Sequence, residues 1–544
     1  MTMIGAFLGG NPPDVPAGKA GISLSVNTTD RQNLSTASWT LTGGGKTYTV
    51  NADASGRAYI EVDAGITYTV TLTHQGNYEN DGPQTVITES TMQYGVLFDL
   101  FSYAAVSTVV IVQTEENTVV TATDGETTYT ETSNASGIAT FNGLPANTEW
   151  TFSIPQGETT TVIINTLVTQ VNLEPTYIYG VRIARSTSSP TSRCVYIDDC
   201  AGFTPASGTA LNSWAGNKLI SGIRPVVFNG ETFTDLNKRD LTKTVDGSES
   251  NISVKGNDAL TVIPTWWLSI TNDSTYIYIR FSNKQADSSY HRYASMFDGK
   301  DVGQFAVGCF LGWVNSSMLY SKTNNNPSNN TSIRDFITYA HNRGAGYDLF
   351  MGHHVIYLQA LFTLLYRSTN CQTALGQGYV GGSAVQANAA LSFENDYGMA
   401  GSTSTTERMS FFWIHDFWGN LYQFIGGMKT NSSRQLMTIV DGLASVTESD
   451  FTLQSTSALS SNLSGYISDV VGTSEAGFFP QACSGSATTY WCDSGYVNAS
   501  LFPRFGGYFS YGDYAGCFNL NFDVSATGTV SNVGSRLSYR AGGA

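Results

Sequence analysis

A chain of 544 residues is too long for one hydrophobic core, which sets an expectation of roughly three or four domains. Only 13% of the residues are charged, and the balance of 27 basic against 43 acidic residues gives a formal charge of −16. No clustered Lys and Arg are present for phosphate contacts, and no run approaches the ~18 apolar residues that cross a bilayer, so nucleic acid and membrane insertion are excluded as main roles.

Abundant Gly, Ser, Thr, Asn and Tyr predict extended β structure with many turns. The opening MTMIGAFLGGNPPDVPAG has no basic n-region and a short apolar stretch, so it is read as an N-terminal arm over residues 1–20 rather than a secretory signal, with assembly in a cytoplasm expected.

An internal repeat organises the first third. Tyr48, Ala54, Ser55 and Gly56 recur 81 residues on as Tyr129, Ala135, Ser136 and Gly137. Around each copy, apolar and polar residues alternate (Tyr59, Tyr68 and Val70; then Phe141, Trp150 and Phe152), and the runs break at Gly, Asn and Asp. This is the pattern of half-buried antiparallel strands, whose apolar face must be covered by a second sheet. Two small β-sandwiches are predicted, over 21–101 and 102–174. The recurring turn, Asn/Asp-Ala-Ser-Gly, followed by a strand and an aromatic strand, resembles prealbumin-like or carboxypeptidase-regulatory-like Ig-type modules. That resemblance implies spacing or attachment rather than chemistry.

From Tyr177 no third copy follows, and residues 175–544 are read as one large domain. Apolar residues at helical spacing (Phe336, Tyr339, Ala340; Val355, Leu358, Phe362, Leu365) predict helices over Arg334–Arg343 and Gly352–Arg367 inside a β framework, with Val355–Tyr366 buried. The expected fold class is mainly β with an α+β C-terminal part.

Several candidates for chemistry are weak on spacing alone. His353 and His354 are adjacent on a helix, about 100° apart, and so rarely share one ion. Asp198 and Asp199 with Asp493 could pair as glycosidase carboxylates only at a suitable separation, and His415-Asp416 has no nucleophile elbow beside it. The seven cysteines lack paired CxxC spacing and are read as free thiols, although Cys194 with Cys200, and Cys483 with Cys492, are close enough in sequence to bridge. No Asp, Asn and Glu cluster has calcium-ligand spacing. No enzyme activity, cofactor or obligatory metal is expected.

Four stretches carry a second resemblance: TYIYGVRIARSTSSPTSRCVYIDDCAGFTPA; RDFITYAHNRGAGYDLFMGHHVIYLQALFTLLYRSTNCQTALGQG; MSFFWIHDFWGNLYQFIGGM; and FPRFGGYFSYGDYAGCFNLNFDVSATGTVSNVGSRLSYR. Together they resemble the C-type-lectin-fold domains of phage receptor-binding and tropism proteins, including those whose C-terminal tails are diversified by reverse transcription through a diversity-generating retroelement. Asn342-Arg343-Gly344, Leu358-Gln359, Gln372 to Gly378, Phe417 to Asn420 and Gly426 follow that pattern. Arg504, Gly506 and Gly507 then open, and Val533, Gly534 and Arg536 close, a bracket similar to that of the variable tail. Cys492 beside Trp491 and Asp493 is similar to a Tyr-Cys-Asp stretch of these domains and is read as a packed thiol.

The resemblance implies that Tyr508, Ser510, Tyr511, Asp513, Tyr514, Asn519, Asn521 and Asp523 face a ligand. Their chemistry suits this, since Tyr gives rigid contact area and Ser, Asn and Asp give adaptable hydrogen bonds. The alternative is a Tyr- and Gly-rich tail that simply finishes a core. The chain departs from the family after Phe522, where DVSATGTVSN has few Asn and aromatic residues, and at Ser535, where a bulky residue is usual.

The function implied is a phage virion protein, in a tail fibre, tail tip or head decoration, that binds a bacterial cell-surface glycan or protein. Other virion proteins would bind through the N-terminal modules, and a homotrimer would supply avidity. The alternatives are a structural capsid decoration or fibre protein, and a polysaccharide-degrading virion enzyme.

Overall fold

The computed structural model describes residues 15–540, apart from 29–33, 74–77, 80–81, 91, 103–107, 158, 166–167 and 390. The chain divides into two compact units, one ending at Thr176 and the other beginning at Tyr177.

Within the first unit there are two cores, because each repeat buries its own apolar face. In the first repeat two four-stranded sheets enclose Ile22, Leu24, Trp39, Leu41, Tyr68, Val70 and Phe98. The Thr67–Thr73 strand shows the cause: Tyr68, Val70 and Leu72 point inward and the four threonines between and beside them outward. In the second repeat a four-stranded and a three-stranded sheet enclose Val110, Val112, Phe141, Trp150 and Phe152. Burying each such side chain contributes roughly 1.5–3 kcal/mol.

The two sandwiches are wired alike. Lys19–Thr28 pairs antiparallel with Arg57–Asp63 and parallel with Gln93–Ser102. Val109–Gln113 likewise pairs antiparallel with Ile138–Asn142 and parallel with Val168–Asn172. Pairing already starts at Lys19, inside the segment read as an arm; residues 1–14 of that arm lie outside the described residues.

The repeated sequence signature has a physical cause. Asp53 Oδ1 accepts hydrogen bonds from the Ser55 and Arg57 amides at 2.8 and 3.0 Å, and Asn134 Oδ1 accepts from the Ser136 and Ile138 amides at 2.9 and 3.1 Å. Each turn needs a left-handed residue, supplied by Gly56 and Gly137 at φ +76° and +73°. A Cβ on Gly137 would also lie 2.1 Å from the Thr114 carbonyl oxygen.

The second unit is α+β. It holds two six-stranded sheets and a four-stranded sheet, and the Gly352–Tyr366 helix, all fifteen residues of which are buried, shares one core with residues of all three. That helix is packed on every side, unlike Ile333–His341, which is amphipathic: Phe336, Ile337 and Ala340 face the core and Arg334 and Asp335 do not. Ser332 caps the latter helix by accepting from the Asp335 amide. Two further short helices span Lys218–Ser221 and Cys371–Ala374.

The end of the chain is tied into the middle by one buried cation. The Arg536 guanidinium donates to Gln423 Oε1 at 2.7 Å and to the carbonyls of Gly308, His415 and Asp416 at 2.8, 2.6 and 3.0 Å. Every nitrogen of the group has a partner, which makes the fully buried charge tolerable. Burial nevertheless pushes its pKa down to about 9.

Candidate ligand-binding face

The tail is built on a six-stranded sheet ordered Leu463–Tyr466, Ser494–Val497, Leu520–Val524, Phe502–Phe505, Tyr422–Phe424, Val533–Gly534. The bracket residues therefore have a structural reading: the opening strand with Arg504 and the closing Val533–Gly534 lie on either side of Tyr422–Phe424.

Along Leu520–Val524 the side chains alternate. Leu520 and Phe522 join the large core, while Asn519, Asn521 and Asp523 project to the opposite face. A run of tyrosines covers that face. Tyr422 stacks on Tyr508 at 5.5 Å and meets Tyr511 edge-on at 5.2 Å, Tyr511 lies 5.4 Å from Tyr514, and Tyr514 stacks on Tyr466 at 4.8 Å. The Arg504 guanidinium sits 4.2 Å from the Tyr422 ring centroid and pairs with Asp523 at 2.5 Å.

Of the eight residues expected to face a ligand, Asn519 and Asn521 are thus under the tyrosines rather than outside them, and Asp523 is half-buried. Asn519, fully buried, donates from Nδ2 to the Ser494 carbonyl and Oγ, both at 2.8 Å, and to the Tyr514 carbonyl at 2.9 Å. Asn521, also buried, donates to the Tyr422 hydroxyl at 2.8 Å. Asp523 is held by Arg504, and burial raises its pKa despite that cation. Oδ1 of Asn519, Asn521 and Asp523, with Arg504 Nε, has no hydrogen-bond partner among the described residues, so the covered face keeps unused polar capacity.

The other five do reach the surface. Ser510, Asp513 and Tyr514 are exposed, Tyr514 to 44%, and Tyr508 and Tyr511 are half-buried. Their loop is anchored at several points: buried Gln372 donates to the carbonyls of Gly512 and Ala515 at 3.1 and 2.7 Å, the Gly512 amide donates to Val380, and the Phe509 amide to Asn420. Gly507, at φ +81°, lets the chain turn away from the sheet where a Cβ would lie 2.4 Å from that of Ala515. Tyr422 and Tyr466 complete the face and were not singled out by sequence reasoning. Both stand far from the tail in sequence, and only the sheet order joins them to it.

The remaining constellations do not come together as the sequence grouped them. His353 and His354 are both buried, beside Tyr293 at 5.1 Å and stacked on Phe305 at 4.4 Å, respectively. Burial drops the His353 pKa to about 3 and that of His354 well below its usual range. His415 stacks on Phe310, and Asp416 pairs with Arg408. Asp198 pairs with Arg280 at 2.8 Å, Asp199 accepts from the Ile178 amide, and Asp493 is buried against Cys371, so the three carboxylates have separate partners. All seven cysteines are free, and all but Cys483 are buried.

No protein-family profile matches the chain, and no curated protein does. Among solved structures, the Bacillus anthracis TIE protein aligns over 49% of this chain and 44% of its own, at 11% identity and a TM-score of 0.16. The Streptococcal ancillary pilin aligns over 29% of this chain and 62% of its own, at 11% identity and a TM-score of 0.15. The shaft pilin SpaA from Lactobacillus rhamnosus GG aligns over 29% of this chain and 98% of its own, at 8% identity and a TM-score of 0.14. The chain spans less than half the length of the TIE protein, and at these scores the likeness bears on neither activity nor partner.

Proposed function

We propose that this chain is a non-enzymatic receptor-binding protein of a phage virion, which engages a bacterial cell-surface glycan or protein through the C-terminal face around Tyr514. The observation that carries this reading is the run of tyrosine rings from Tyr422 to Tyr466, which includes exposed Tyr514, with exposed Ser510 and Asp513 on the same anchored loop. Aromatic anchors flanked by small polar groups suit a paratope, because tyrosine loses little conformational freedom on binding. The Gln372, Val380 and Asn420 anchors hold the loop before any ligand arrives, which reduces the ordering cost of association.

The sequence resemblance to lectin-fold tropism proteins supplies the class of ligand. The two tandem sandwiches serve as spacers that connect this face to other virion proteins. A small polar face binds weakly alone, and the homotrimer that the resemblance implies would link several faces and raise avidity.

The test is equilibrium binding of the purified full chain to host cells, before and after the cells are treated with periodate or with protease. Saturable binding lost on one treatment supports the reading and separates glycan from protein. No binding to any host surface, by a folded chain, favours the structural decoration protein instead.

A further inference from the structure

Cys371, Asp493 and Cys517 come from three segments widely spaced in sequence, yet their ligand atoms lie within 4.8 Å of one another and all three side chains are buried. We propose that these residues bind one borderline-soft divalent cation of the zinc class, which pins the base of the ligand-binding tail.

The distances fit such an ion. Tetrahedral zinc, with bonds of about 2.3 Å to sulfur and about 2.1 Å to oxygen, separates sulfur from oxygen by roughly 3.6 Å. Cys371 Sγ lies 3.6 Å from Asp493 Oδ2 and 3.8 Å from Oδ1. The surroundings are arranged for anionic donors. The Cys517 amide donates to Cys371 Sγ at 3.1 Å, the Phe518 amide donates to Asp493 Oδ2 at 2.7 Å, and Gln359, from the buried helix, fixes the Cys517 carbonyl at 2.7 Å. Gly516 leaves room for the carboxylate, since a Cβ there would lie 2.2 Å from Asp493 Oδ1.

Charge gives an independent reason. Asp493 is fully enclosed, and its bonded partners among the described residues are the Phe518 amide and the Cys371 thiol, with no Lys, Arg or His. A buried carboxyl without a cation stays protonated or takes up a metal. Binding releases the carboxyl proton and both thiol protons to solvent, and two thiolates with one carboxylate leave the divalent site at a net charge of −1. No fourth His, Cys, Asp or Glu joins them among the described residues, so the fourth position is left to a backbone carbonyl or water.

Because the site is enclosed, loading accompanies folding. The experiment therefore refolds the full chain, under reductant, with zinc or with cobalt(II). The expected result is about one retained zinc per chain by elemental analysis, as the three-donor site requires. Cobalt should give thiolate-to-metal charge-transfer and tetrahedral d–d bands, and a higher melting temperature should accompany metal. Uptake should fall as pH is lowered, because protons compete for the thiolates. Cys517→Ser and Asp493→Asn should lose the bands, while Cys309→Ser, a buried thiol outside the cluster, should keep them. Folded wild-type chain that retains neither metal overturns the proposal, and so does equal retention by the Cys517→Ser and Asp493→Asn variants. The cobalt spectrum of the wild-type chain decides the matter even if a variant fails to fold.

Discussion

Tyr514 and Asn519 stand on the same short stretch of tail and carry side chains of the kind found in binding loops, but they do opposite work. Tyr514 is exposed within a tyrosine run, whereas the Asn519 amide makes three hydrogen bonds beneath that run. The difference teaches that polar chemistry alone does not mark a ligand face. What decides is whether another segment covers the strand face that a residue occupies, and here Tyr422 and Tyr511 do the covering.

Variants graded from the base of the tail to its tip sharpen this contrast. Arg536→Met has the largest expected effect on stability, because it strands three carbonyls and Gln423 Oε1 in the core. A loss of roughly 3–5 kcal/mol in denaturant unfolding of the second unit is expected. Asn519→Leu should cost roughly 2–3 kcal/mol by the same measurement, since it leaves the Ser494 and Tyr514 carbonyls without that donor.

Acid should act through the buried histidines. The folded pKa of His353, about 3, lies below its usual 6.5, so the unfolded chain takes up the proton first. Stability from this residue is present above pH 6.5 and is lost as pH falls towards 3, at up to about 1.4 kcal/mol per pH unit. His353→Gln should therefore show a shallower acid loss than the wild-type chain over that window. Asp493 and Asp523, with raised pKa values, act in the opposite direction and are common to both proteins, so the difference between the two curves isolates the histidine. At the tip, Ser510→Ala and Asp513→Ala should change stability by less than about 0.5 kcal/mol, because both side chains are exposed.

The contrast also explains what could be read from sequence. The repeat was legible because its turn needs Asp or Asn and then Gly at fixed spacing, and Asp53 to Gly56 and Asn134 to Gly137 meet that need in the same way. Both main helices were legible from apolar spacing, and the burial of Val355–Tyr366 from its apolar run. The alternation of Asn519, Asn521 and Asp523 was correct as a strand face, but the exposure of Asn519 and Asn521 was not, because Tyr422 reaches that face through strand order rather than local sequence. Cysteine spacing likewise gave no sign of the thiol and carboxylate cluster, since a search for neighbouring CxxC pairs cannot join residues 371, 493 and 517.

The central claim is that the exposed tip of the tail, and not the asparagines beneath it, is the ligand face. It is tested most directly by measuring host-cell binding of the full chain carrying Ser510→Ala, Asp513→Ala and Tyr514→Ala together, alongside its melting temperature. These substitutions remove the ring contacts of Tyr514 with Tyr511 and Tyr466 but keep Tyr511 packed on Tyr422 and bonded to Asn521, so recognition is lost with little of the fold. The folded variant should melt only slightly lower, for the loss of those ring contacts, and bind at least about tenfold more weakly, a loss of about 1.4 kcal/mol. Undiminished binding by that folded variant would contradict it.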